Sequence, residues 1–216
     1  MIAKLHYISQ GHTPEAHLEH ITNACASGAE LVQLRLKNLD EATLLKTAEK
    51  ARAITQHYQT RLIINDHYKI AKAVKADGVH LGLEDMCPTE ARKHLYSWQS
   101  IGGTANTLEA CQTLISKAVS YIGLGPFRFT TTKEHLSPVL GLEGYRSILD
   151  ILQTETPIIA IGGITLRDIP ELLKTGVYGV AVSGELTKDF NKITDFKQLL
   201  EGSELQEQLW KPNQND

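Results

Sequence analysis

Long hydrophobic runs, a basic excess, paired cysteines and a glycine-rich phosphate turn are all missing from this sequence, and each absence removes a class of protein. No stretch has the length and apolarity of a membrane span, and the opening MIAKLHYISQ lacks the apolar core of a signal peptide. The expectation is a cytoplasmic chain with no membrane partner. Cys25, Cys87 and Cys111 are odd in number, far apart and without metal-ligand spacing. They fit free thiols in a reducing compartment, serving as small buried side chains. Lys and Arg total 22 against 25 Asp and Glu, a net charge of −3, so there is no footprint for nucleic acid. That balance still allows a local cationic pocket. Also absent are a Cys–His dyad, a nucleophile elbow and paired carboxylates at hydrolase spacing, which disfavours covalent and hydrolytic chemistry.

What is present is a regular alternation. Short apolar runs at 5–8, 31–36, 61–64, 78–82, 100–104, 121–125, 157–163 and 179–183 are separated by segments with helical spacing. Asp40 is placed to cap the helix before the third run, and Pro14 suits a first helical turn. Strands that are apolar throughout indicate a parallel sheet covered on both faces. Eight strand–helix units at near-constant spacing predict an α/β fold, a single (β/α)₈ TIM barrel over residues 1–202. An open doubly wound sheet would carry a glycine-rich turn after its first strand, where this chain has QGHTP. Residues 203–216 read as a polar tail with a helical extension open as far as Trp210.

In such barrels chemistry collects at the C-terminal ends of the strands, and polar residues concentrate there. Gln33, Arg35 and Lys37 alternate along the second strand and so share one face, and two cations on one face call for an anion. Asn65 and Asp66 close the third strand, and Asp85 follows the fourth. Two carboxylates on adjacent loops suit Mg²⁺, although Asp66 could equally cap the next helix. Gly162-Gly163 and Ser183-Gly184 end strands seven and eight, a recurrent phosphate site in this fold. After strand six a long loop carries Arg128, Thr130, Thr131, Thr132 and Lys133, donors able to surround an anion or simply to face solvent. His80, inside strand four, is expected to be a satisfied core histidine. Together the strand ends suggest a substrate bearing both a diphosphate and a separate monophosphate.

QLRLK at 33–37, LIIND ending at Asp66, ADGVHLGLED ending at Asp85, IGLGPFRFTTTK ending at Lys133 and IIAIGGI ending at Ile164 resemble the thiamine-phosphate synthase family. The motifs occur in family order across nearly the whole chain. The resemblance implies a Mg²⁺-dependent transferase of thiamine biosynthesis. It would condense hydroxymethylpyrimidine diphosphate with thiazole phosphate and release pyrophosphate, through departure of diphosphate before the thiazole nitrogen attacks. Residue by residue, it implies that Gln33, Arg35, Lys37, Asn65, Thr104 and Lys133 contact the pyrimidine diphosphate, with Arg35, Lys37 and Lys133 as catalytic cations. Asp66 and Asp85 would hold the metal. Thr130, Thr132, Gly163, Val182 and Ser183 would receive the thiazole phosphate. Two features depart from the family: Thr104 stands where Ser is common, and Phe127-Arg128-Phe129 replaces a small apolar run.

Two alternatives stand beside this reading. A thiazole tautomerase of the same superfamily would carry a histidine near the end of strand six, where this chain has Pro126 after Gly125. A non-catalytic phosphate-ligand-binding barrel would have little need of Asp66, Asp85 and Lys133. The sequence leaves homo-oligomerisation open.

Overall fold

Parallel strands covered on both faces require apolar side chains at nearly every position, and the computed structural model shows eight such strands closed into one barrel. It describes residues 2–129 and 138–209, the last seven of these as backbone only. The strands are β1 (Leu5–Ile8), β2 (Leu31–Leu34), β3 (Arg61–Asn65), β4 (Gly78–Leu81), β5 (Ser100–Ala105), β6 (Tyr121–Leu124), β7 (Ile158–Ile161) and β8 (Gly179–Val182). Each pairs in parallel with the next, and β1 closes on β8 in the register Leu5↔Val180, His6↔Ala181, Tyr7↔Val182. The expected (β/α)₈ architecture is therefore the one observed.

The helices are α1 (Pro14–Ala26), α2 (Glu41–His57), α3 (Tyr68–Ala73), α4 (Pro88–His94), α5 (Leu108–Ser116), α6 (Gly141–Leu152), α7 (Ile169–Leu173), α8 (Gly184–Lys188) and α9 (Lys192–Leu209). A 3₁₀ turn, Leu166–Asp168, precedes α7. Local chemistry sets several starts. Thr13 Oγ1 accepts from Ala16 N at 3.2 Å, Asp40 Oδ1 from Thr43 N at 2.9 Å, and Thr107 Oγ1 from Ala110 N at 3.2 Å, so each side chain satisfies an orphan first-turn donor. α9 continues past residue 202 to Leu209, along the helical extension that the sequence left open as far as Trp210. Among the described residues no helix is long and apolar enough to cross a membrane.

Strand alternation divides the core in two. Tyr7, Val32, Leu34, Leu62, Ile64, Val79, Ile122 and Val180 face outward into one continuous cluster with the helices. Leu31, Ile63, Tyr121, Ile159 and Ala181 fill the barrel interior with Ile2 and Ala3. The interior is tight at one level: a Cβ on Gly102 would lie 2.1 Å from Tyr121 Cζ, so glycine on β5 is what admits the tyrosine ring from β6.

Candidate functional site

Above this packed layer the interior opens into a cavity of about 640 Å³ at the C-terminal ends of the strands. Its floor includes His6, Tyr121, Ile159 and Ala181, and its walls include Gln33, Arg35, Lys37, Asn65, Asp66, Asp85 and Thr104. Seven residues assigned from sequence to the pyrimidine-diphosphate and metal subsites thus lie around one space. β2 ends at Leu34, two residues earlier than expected, yet Arg35 and Lys37 continue on the cavity side in the following loop.

The chain around Arg35 is pinned from below. Ser9 N donates to Gln33 O at 2.9 Å, and Arg35 N donates to Ser9 Oγ at 3.1 Å. The same hydroxyl lies 2.8 Å from His17 Nδ1, while His17 Nε2 lies 3.2 Å from the Gly11 carbonyl. A carbonyl can only accept, so Nε2 carries the proton. Burial holds the His17 pKa below its ordinary value, favouring the neutral ring, whose Nδ1 then accepts from Ser9. Ser9 and His17 were not read from the sequence as contributors to the site, because neither belongs to a spacing pattern.

Asp66 has φ +63, and the helix after it is capped at His67 without a side-chain bond, so the Asp66 carboxylate is not a helix cap. It instead faces Asp85, close enough to share a hydrogen bond. Burial first, and then that neighbour, raise the Asp66 pKa to about 6, against the opposing pull of Lys37 and Arg35. Lys37 Nζ lies 3.7 Å from Asp66 Oδ2. Asp85 Oδ2 accepts from Gly82 N at 2.6 Å, which closes its own turn and sets the carboxylate's direction. Two facing carboxylates, one of them with its proton affinity raised by burial and by its neighbour, are a good match for a hard divalent cation completed by water and phosphate. Among the described residues no group of three or more His, Cys, Asp or Glu could hold a metal ion.

A polar chain crosses the cavity floor. His80 Nε2 is 2.9 Å from Thr104 Oγ1, and His80 Nδ1 is 3.1 Å from the Tyr121 hydroxyl, which also bonds the Gln33 side chain. His80 is buried and stacks on Tyr121 at a centroid distance of 5.5 Å. The expectation of a satisfied core histidine agrees with this geometry, with the addition that His80 borders the cavity and orients Thr104. His6 packs edge-on against the same tyrosine at 5.1 Å, and burial lowers its pKa to about 4, so it is neutral. Neither His6 nor Tyr121 stood out in the sequence. His6 shares the inward face of its strand with Ile8, and Tyr121 with Gly123, and that period of two was the available signal.

The remaining assignments fall elsewhere. Gly163, Val182 and Ser183 lie at the ends of β7 and β8, next to the cavity-lining Ile161 and Ala181. Val182 is buried in the outer core, so only its backbone is available to a ligand. Ser183 Oγ donates to Gln10 Oε1 at 3.2 Å. Thr130, Thr132 and Lys133 lie outside the described residues. Arg128, grouped by sequence with the cations of that loop, forms a two-pronged ion pair with Asp168 at 2.7 and 2.8 Å. Cys25 and Cys111 are buried as expected, but Cys87 is only partly buried. It sits at the start of α4, where its thiol contacts Thr89 Oγ1 at 3.1 Å.

Comparison with known proteins gives a consistent result. Residues 5–186 match the family model described as thiamine monophosphate synthase. Thiamine-phosphate synthase of Flavobacterium johnsoniae is 48% identical over 204 residues, covering 93% of this chain and 96% of that protein. The corresponding protein of Flavobacterium psychrophilum is 46% identical over 202 residues, covering 92% and 98%. Among solved structures, thiamine phosphate pyrophosphorylase from Pyrococcus furiosus superposes with a TM-score of 0.78 at 30% identity, covering 92% of this chain and 96% of that one.

Proposed function

The chain belongs to the thiamine monophosphate synthase family, and from that premise we propose how its residues divide the work. It is a transferase that joins hydroxymethylpyrimidine diphosphate to thiazole phosphate, giving thiamine phosphate and pyrophosphate. The observation that carries the division of the site is the meeting of Asp66 and Asp85 beside Lys37, Arg35, Gln33 and Asn65 in one cavity.

Asp66 and Asp85 would hold Mg²⁺, which when bound supplies positive charge to the diphosphate and lets the two carboxylates coexist ionised. Arg35 and Lys37 border the same space and stabilise negative charge as the carbon–oxygen bond to diphosphate breaks. The motif match adds Lys133 to these cations. Departure leaves positive charge on an exocyclic carbon conjugated to the electron-rich aminopyrimidine, so no protein nucleophile is required. Thr104, Gln33 and Asn65 orient the pyrimidine end. Thr104 is held by His80, and the neutral floor of His6 and Tyr121 excludes water from the cation. Thr130, Thr132, Gly163, Ser183 and the backbone of Val182 hold the thiazole phosphate, so that the thiazole nitrogen meets the carbon in line.

A cytoplasmic location belongs to the same proposal, supported by three cysteines that form no disulfide. The test is pyrophosphate release with both substrates and Mg²⁺. Omitting either substrate should abolish thiamine phosphate formation.

A further inference from the structure

The glycine pair after β7 has the stem of the following-strand-six loop lying directly on it. Gly162 and Gly163 have φ of +93 and +69. A Cβ on Gly162 would meet Pro126 Cβ at 2.6 Å, and one on Gly163 would meet Arg128 Cγ at 2.4 Å. Backbone bonds stitch the two segments together, Phe127 N to Ile161 O at 2.8 Å and Arg128 N to Gly162 O at 3.1 Å. On its other side the stem is held by Asn106 Nδ2, which donates to Gly125 O and to Pro138 O, each at 2.9 Å.

The Arg128 guanidinium completes this junction. Its Nη1 donates to Gly163 O at 2.9 Å and to Asp168 Oδ2 at 2.8 Å, and Nη2 donates to Asp168 Oδ1 at 2.7 Å. Asp168 Oδ2 also accepts from Thr165 N at 2.7 Å and Thr165 Oγ1 at 2.8 Å. The turn from Gly163 to Asp168 is thereby tied at both ends to one side chain. Burial acts to raise the Asp168 pKa, but the bonds from Arg128 and Thr165 outweigh it and leave it lowered, so the pair is ionic.

A trans peptide holds its C=O and N–H antiparallel, so the carbonyl that Arg128 fixes turns the Ile164 N–H the opposite way. We propose that the Arg128–Asp168 fork is a positioning device for the thiazole-phosphate end of the site, fixing the Gly163–Ile164 peptide so that its N–H serves as a phosphate donor. The inference rests on the assignment of Gly163 to that phosphate. Arg128 is 44% exposed, and ion pairs of that kind add little to global stability, so the consequence is local. A guanidinium is suited to the task because one planar group can bond a carboxylate with two prongs and a carbonyl with a third donor.

The experiment compares Arg128→Met, Asp168→Asn and the double variant with wild type in steady-state kinetics, varying each substrate separately, with melting temperatures and with Gly163→Val as a second probe of the phosphate site. The expected result is a rise of about tenfold in KM for thiazole phosphate in each single variant. The double variant should show no further rise. KM for pyrimidine diphosphate should stay within about twofold, and melting temperature within a few degrees. A parallel rise in both KM values, or additive effects in the double variant, would overturn the fork as a local positioning device. An unchanged thiazole-phosphate KM in the fork variants, with Gly163→Val raising it, would overturn the fork alone. If Gly163→Val also left that KM unchanged, the assignment of the phosphate to this turn would fall with it.

Discussion

Asp66 and Asp85 face each other across adjacent strand ends, and burial together with this neighbour raises the Asp66 pKa to about 6. Such a pair is unfavourable in the metal-free protein, and that has a measurable consequence. A carboxyl whose folded pKa is raised stabilises the fold fully below its unfolded value near 3.8, and this contribution is lost as pH rises through about 6. Asp66→Asn should therefore raise the melting temperature of the metal-free protein at pH 7 to 8, by about 2–4 °C for each kcal/mol of relieved repulsion. The same variant should lose the Mg²⁺-induced thermal shift, and its turnover should fall on the order of 100-fold or more. Scanning calorimetry with and without Mg²⁺ checks both. A variant destabilised without metal and still shifted by Mg²⁺ would remove Asp66 from the metal site.

Thr104 bonds His80 Nε2 at 2.9 Å, and its hydroxyl rather than its methyl faces that partner. Thr104→Ser should retain activity within a few-fold. Thr104→Val takes away the Thr104 hydroxyl from His80 Nε2 and should lower kcat/KM for pyrimidine diphosphate by about tenfold or more. Equal activity in the two variants would show that the hydroxyl is not used.

His6 beneath the cavity should appear in acid stability. Its pKa is lowered to about 4 by burial, so the stability it contributes is present above about 6.5 and lost as pH falls toward 4. The stability advantage of wild type over His6→Gln, measured by urea unfolding, should shrink between pH 7 and pH 4.5. A constant difference would mean that His6 does not titrate with unfolding.

Gly102→Ala tests the packed floor. The new methyl would fall 2.1 Å from Tyr121 Cζ, and overpacking of this kind typically destabilises by about 1–3 kcal/mol. Thermal melts should show a clear drop, and steady-state kinetics a loss of activity as the ring is displaced from His80. An unchanged melting temperature would contradict the tight fit of β5 against β6.

The barrel was legible because its signal is local and repeated: eight apolar runs, each followed by a helical period, are enough to specify a parallel closed sheet. Strand alternation also brought Gln33, Arg35 and Lys37 to one side, although β2 itself stops at Leu34. Asp66 was ambiguous in sequence, since a capping and a metal-binding aspartate look alike. Its positive φ and the independent His67 cap distinguish them. Arg128 was grouped with its cationic neighbours because its partner, Asp168, lies 40 residues away and no periodic pattern links them. Tyr121 and His6 read as ordinary strand residues, and only barrel closure shows that they floor the cavity.

The motif that ends at Lys133 carries a further prediction independent of the described geometry. If this cation acts on the departing diphosphate, Lys133→Ala should lower single-turnover pyrophosphate release on the order of 100-fold while changing substrate affinity little. A surface lysine would change neither.

On the reading above, the cavity holding Asp66, Asp85, Arg35 and Lys37 condenses two phosphorylated heterocycles. The most direct test is product analysis of the purified protein given hydroxymethylpyrimidine diphosphate, thiazole phosphate and Mg²⁺, with pyrophosphate and thiamine phosphate quantified together. Both products should appear in equal amounts, and thiamine phosphate should be lost when either substrate or the metal is withheld. Isomerisation of the thiazole phosphate alone, or binding of both substrates without pyrophosphate release, would contradict it.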